Sequence, residues 1–65
     1  MLNCYIVDDE QNAVDALTAM LKKKFTQQVK ICGSNIKASA AIEEIEQLQP
    51  DVVFLDVEMP ELNGL

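Results

Sequence analysis

The sequence has no histidine and only two cysteines, Cys4 and Cys32, which stand alone without CxxC spacing. A zinc site is disfavoured, because such sites draw on clustered thiolates and imidazoles. The cysteines read instead as small buried hydrophobes in strands, and a reducing, cytoplasmic setting fits them. Basic residues are scarce, five against eleven acids, for a formal charge of −6. A surface of that sign repels phosphate backbones and anionic lipid, so the segment is expected to contact neither nucleic acid nor membrane by itself. No apolar run approaches the roughly 18 residues of a membrane span, and no charged stretch followed by an apolar one opens the chain. Internal repeats, low-complexity tracts and linkers are absent as well.

What is present is ordinary globular composition, 49% hydrophobic and 25% charged over 65 residues. A chain of that length makes one small domain at most and buries only about 60% of the surface its unfolded state exposes. A partner chain or a continuation is therefore expected to contribute to stability.

Three short apolar runs punctuate the chain: "CYIV" (Cys4 to Val7), "VKIC" (Val29 to Cys32) and "VVFL" (Val52 to Leu55). Continuous apolar runs of this length read as strands buried on both faces, the habit of parallel sheets. Between the first two, Ala13, Leu17, Met20 and Leu21 recur at helical spacing from Glu10 to Lys24. Acids stand at the start and Lys22, Lys23 and Lys24 at the end, which suits the helix dipole. After the turn residues Gly33-Ser34-Asn35, a second helix carries Ala38, Ala41, Ile42, Ile45 and Leu48 on its apolar face. Pro50 stops it by disfavouring helical geometry in the residue before. The order βαβαβ with short connections predicts a parallel α/β sheet.

Ligands of open α/β sheets bind outside the carboxyl ends of the strands. Asp8 and Asp9 follow the first strand and Asp56 follows the third, with Glu58 just beyond. If these strands are neighbours, the carboxylates meet at one edge. Like charges about 4 Å apart repel by about 1 kcal/mol in water and about 4 kcal/mol at an effective dielectric of 20, so the group must take up protons or bind a cation. Hard oxygen ligands without sulfur or imidazole favour Mg²⁺, which also serves phosphate oxygens. An aspartate kept ionised beside it can attack phosphorus. Helix capping accounts for the acids after the first strand, and a turn for Asp56 alone, but neither accounts for the matching pair of positions.

At these residues the chain resembles the receiver domain of two-component response regulators. "IVDDE" is similar to the acidic pair that closes the family's first strand, and "VVFLDVEMPELNG" to its phosphorylation-site strand and following loop. The resemblance covers the whole chain and leans toward regulators with a LytTR-type DNA-binding output. It implies a flavodoxin-like receiver fold truncated to βαβαβ, three parallel strands in order 2-1-3 with two helices, so that residues 1–65 form the N-terminal half of a receiver domain. Asp56 would then accept the phosphoryl group of a sensor histidine kinase. Asp9 would bind Mg²⁺ directly, Asp8 mainly through a coordinated water, and Glu58 through its backbone carbonyl, while Pro60 and Gly64 shape the loop. The hydroxyl and lysine residues of the family's fourth and fifth strands fall outside the sequence. The segment itself is therefore expected to be impaired, and its third strand to form an edge that invites self-association.

Two other readings compete. A haloacid-dehalogenase-type phosphatase also uses an aspartate after an apolar strand, but it wants Asp-x-Asp where Asp56 and Glu58 stand. A non-catalytic interaction module would use the acids only as caps. The receiver reading makes the chain a phosphoryl acceptor and regulatory segment, with slow loss of its own phosphate at most, rather than an enzyme.

Overall fold

A computed structural model describes residues 1–55. Its elements run β1 (Leu2–Val7), α1 (Gln11–Lys24), β2 (Val29–Asn35), α2 (Ala38–Leu48) and β3 (Val52–Leu55). The strands are parallel and ordered β2-β1-β3, which is the open α/β sheet and the strand order expected. No helix among the described residues is long and apolar enough to cross a membrane.

The middle strand carries the core. Cys4, Tyr5, Ile6 and Val7 are each at most 2% exposed. Alternate residues of a strand point to opposite faces, and β1 uses both. Tyr5 and Val7 pack with Ala38 and Ala41 of α2, with Cys32 and Ile45 against them. Ile6 packs with Val14 and Leu21 of α1, joined by Leu17, Val29, Ile31 and Phe54. The two helices therefore cover opposite faces of the sheet. Burial pushes the Cys4 thiol above its ordinary value, with Cys32 and Asp51 adding to the rise.

Both helix faces are turned slightly from the expected ones. In α1 it is Val14 that is buried with Leu21, whereas Ala13 is half-buried and Met20 is exposed. Val14, Leu17 and Leu21 form an i, i+3, i+7 series as regular as the one through Ala13. Periodicity could not choose between them because both contain apolar residues. In α2, Ala38 and Ala41 are buried, but Ile42 and Leu48 are 53% and 47% exposed. The third strand is likewise less buried than its composition suggests: Val53 and Leu55 are 40% and 49% exposed. Position decides this, since β3 pairs with β1 on one side only among the described residues.

Local chemistry sets the element ends. Gln49 takes a left-handed conformation (φ 49°), its N–H reaching the Ile45 carbonyl at 2.8 Å, and Pro50 follows. The residue before a proline avoids the right-handed helical region, so the chain leaves α2 there. Asp51 then grips β1 twice: its N–H donates to the Asn3 carbonyl at 2.8 Å, and its Oδ2 accepts the Asn3 N–H at 2.8 Å. That pair of hydrogen bonds lies just ahead of the register Cys4↔Val52 through Val7↔Leu55.

The second strand runs three residues past its expected end. Gly33, Ser34 and Asn35 were expected as turn, yet they pair with Tyr5, Ile6 and Val7. A bulge makes this possible: Cys4 lies opposite Ile31 and Tyr5 opposite Gly33, leaving Cys32 as the extra residue. Its thiol donates to the Cys4 carbonyl at 3.3 Å. One inserted residue resets the alternation of side chains, so both Cys32 and Gly33 meet the α2 side. Gly33 is required there, because a Cβ would lie 2.9 Å from Cε2 and 3.2 Å from Cδ2 of the Tyr5 ring. Beyond that ring, the Tyr5 hydroxyl donates to the Glu44 carboxylate of α2.

Two outcomes follow from this packing. Gly33→Ala should lower stability by about 1–3 kcal/mol in urea unfolding, the usual cost of overpacking a filled core; the loss should shrink when Tyr5→Leu removes the ring. Tyr5 is the sole tyrosine, so phenolate absorbance reads it alone. Burial, then the bond to Glu44, raises its pKa from 10.0 to about 12. A folded pKa above the unfolded one means stability that is complete below pH 10 and lost as pH rises toward about 12. Titration should show the raised midpoint in the native chain, a smaller rise in Glu44→Gln, and a falling urea midpoint over that window.

Candidate functional site

The carboxyl ends of all three strands meet at one edge of the sheet. Val7 is opposite Asn35 of β2 on one side and opposite Leu55 of β3 on the other. What the chain places after Val7 therefore sits between the ends of both neighbours.

Asp8 comes next and is half-buried. Its backbone N–H donates to the Asn35 carbonyl at 3.2 Å, extending the β1–β2 pairing one step beyond the strands. Its Oδ1 accepts the N–H of Glu10 at 3.0 Å. An aspartate that bonds a backbone amide two residues on is an Asx turn. Here it engages the N–H of Glu10, the N-cap of α1, whose own side chain makes no cap bond. Asp8 is therefore not the N-cap that its position after β1 allowed, since Glu10 holds that place; its side chain bonds the N-cap residue's N–H instead and uses one of two carboxylate oxygens. Asp9, next along, is exposed. Beside Asp8, a shallow hollow on the α1 side is walled by Ile6, Val7, Leu17, Phe54 and Leu55.

The second βα corner repeats the first. Asn35 Oδ1 accepts the N–H of Lys37 at 2.9 Å, again two residues ahead, and Lys37 is the N-cap of α2 without a side-chain cap of its own. Sequence reasoning took Asn35 for a plain turn residue. The signal that marks it is the match of spacing: Asp8 to Glu10 and Asn35 to Lys37, each an Asx residue two positions before a helix N-cap.

Of the four expected site residues, the described structure contains Asp8 and Asp9. Asp56 and Glu58 lie outside the described residues, as do Pro60 and Gly64. Among the described residues no group of three or more histidine, cysteine or acidic side chains is assembled to hold a metal. The donors that are described are carboxylate oxygens, a set that suits a hard cation such as Mg²⁺ and not zinc.

The comparisons agree with this geometry. The family model of the response regulator receiver domain matches residues 4–65. An uncharacterized response regulatory protein of Vibrio parahaemolyticus is 40% identical over 65 residues, all of this chain and 26% of that protein. The sensory transduction protein LytT of Bacillus cereus is 41% identical over 64 residues, 98% of the chain and 25% of that protein. The transcriptional regulatory protein BtsR of Salmonella typhi is 38% identical over 65 residues, 100% of the chain and 26% of that protein. The chain thus spans about a quarter of the length of the curated relatives it matches. No solved structure is significantly similar to it. With an open 2-1-3 sheet, an acidic residue pair directly after its central strand and a family match over nearly its whole length, the chain belongs to the response regulator receiver family.

Proposed function

We propose that residues 1–65 are the N-terminal half of a receiver domain in a longer regulator, and that Asp56 is its phosphoacceptor. The observation that carries this reading is the register Val7↔Leu55. It makes Asp8 and Asp56 the residues that directly follow two paired strand ends.

In this reading an oxygen of the Asp56 carboxylate attacks the phosphorus of a phosphohistidine on a sensor histidine kinase. The O–P bond forms as the P–N bond breaks, and the imidazole keeps the electron pair. Asp9, the second oxygen of Asp8 acting through water, Asp56 and the Glu58 carbonyl would hold Mg²⁺, which when bound neutralises the phosphoryl oxygens. The chain's own contribution is to orient Asp8 through the Asx turn and to bring the acceptor strand alongside it. The proposed setting is the cytoplasm. The name of the BtsR relative, a transcriptional regulatory protein, favours a transcriptional output, which we assign to a DNA-binding segment outside these 65 residues.

The partner side of the proposal includes a second copy of the chain. Among the described residues β3 is an edge strand with exposed Val53 and Leu55, beside the apolar Ile42 of α2. Unpaired strand edges of this kind recruit further strands.

Two measurements test these readings. Millimolar Mg²⁺ should shift the NMR signals of Asp8, Asp9 and Asp56 together, and a beryllofluoride adduct that forms should vanish in Asp56→Asn; unchanged spectra with both reagents would mean that these 65 residues alone are not competent, and the same result in the longer regulator would remove the acceptor assignment. Sedimentation equilibrium should show a dimer that Val53→Lys returns to monomer. A folded wild-type monomer at micromolar concentration would refute the association.

A further inference from the structure

Asn35 joins the two βα corners in a way that a helix cap does not require. It is the last residue of β2 and lies opposite Val7. Its carbonyl accepts the Asp8 N–H at 3.2 Å, while its side-chain Oδ1 accepts the Lys37 N–H at 2.9 Å. The same side chain lies beside the Tyr5 hydroxyl, where it opposes the rise in the pKa of that group. The bulge at Cys32 is what brings it there: in regular, unbulged pairing of the same residues, alternation from Ile31 would send Asn35 to the α1 side.

We infer that Asn35 is a positioning residue for the Asp8 carboxylate. This rests on the reading of Asp8 as part of a Mg²⁺ site. The Asn35 side chain is held by the N–H of Lys37, the N-cap of α2, and lies beside the Tyr5 hydroxyl; the Asx turn this makes restrains the backbone at Asn35. The Asn35 carbonyl fixes the Asp8 amide, and the Glu10 N–H fixes Oδ1. With both grips in place, the remaining oxygen of Asp8 has one orientation to offer. Releasing the Asn35 side chain frees the first grip and lets the carboxylate wander, although no atom of the asparagine side chain touches it.

The same side chain also caps α2, and a capping role alone would change stability without changing metal affinity. The experiment separates the two in the whole chain. Mg²⁺ is titrated against the wild type, Asn35→Ala, Asn35→Ser and Ile45→Ala, followed by the Asp8 and Asp9 amide signals, with urea midpoints measured alongside. Ile45→Ala weakens α2 from within its packed face, away from the corner. Asn35→Ala is expected to weaken Mg²⁺ binding about tenfold, the scale seen when partners that orient a ligand are removed. Asn35→Ser, which keeps a short acceptor, should recover most of the loss, and Ile45→Ala should bind as the wild type does. Should Asn35→Ala not fold, Asn35→Gln, whose acceptor is displaced by one carbon, takes its place with the same expectation. Wild-type affinity in the Asn35 variants, or an equal loss in Ile45→Ala, would overturn the positioning role alone. Absence of Mg²⁺ binding by the wild type would overturn it together with the metal-site reading.

Discussion

Every feature of the edge depends on one constraint: β1 must pair in register with a strand on each side. Only the middle strand of three can be buried on both faces and on both edges, and only Cys4 to Val7 of β1 meet that condition. Once they do, the residue after Val7 emerges between two other strand ends, and its chemistry can be shared with them. Two quite different devices hold this register. On the β3 side two hydrogen bonds between Asn3 and Asp51 set it just ahead of the first pair. On the β2 side it is corrected midway by the bulge at Cys32, which Gly33 and the Tyr5 ring then fit around.

The bulge links packing to the site. Tyr5 is too large to sit against a residue with a Cβ at position 33, and its hydroxyl needs a partner on α2 because a buried hydroxyl without one is costly. Glu44 and the Asn35 side chain lie where that hydroxyl emerges. A bulge that satisfies an aromatic residue in the core thereby decides which way the last residue of β2 faces. Core packing on the α2 side and corner geometry at the acidic edge are two results of one inserted residue.

Much of this was legible in the sequence. The three strands, the two helices, their order and the placement of acids after β1 all follow from apolar runs, helical spacing and Pro50. These signals are local, and local patterns report local structure well. What was not legible is relational. The choice of Val14 over Ala13 on α1 depends on how the helix is rotated against the sheet. The exposure of Val53 and Leu55 depends on β3 being at the edge, which its apolar composition conceals. Gly33-Ser34-Asn35 has turn chemistry but lies in β2, because the pairing with Tyr5, Ile6 and Val7 outweighs a propensity worth about 1 kcal/mol at most. Asn35 was missed for the same reason: its importance lies in what it touches on β1 and α2. Of the proposed site, the positions of Asp8 and Asp9 directly after β1 were legible, while Asp56 and Glu58 lie outside the described residues.

The difference between those two acids is itself a consequence of the corner. Asp8 gives Oδ1 to the Glu10 amide and is half-buried, while Asp9 is exposed. A carboxylate that already accepts an amide bond has part of its charge satisfied, and its oxygens are held at the distance that the turn allows. Such a group is better suited to orient a water than to give up its bond and bind a cation directly. An exposed carboxylate faces no such competition. Within the proposed Mg²⁺ site, the resemblance to receiver domains implies direct coordination by Asp9 and water-mediated contact by Asp8, and the Asx turn that engages Asp8 Oδ1 is compatible with that division. The acid held in the Asx turn and the acid left exposed are thus neighbours in sequence with different freedom to meet a ligand.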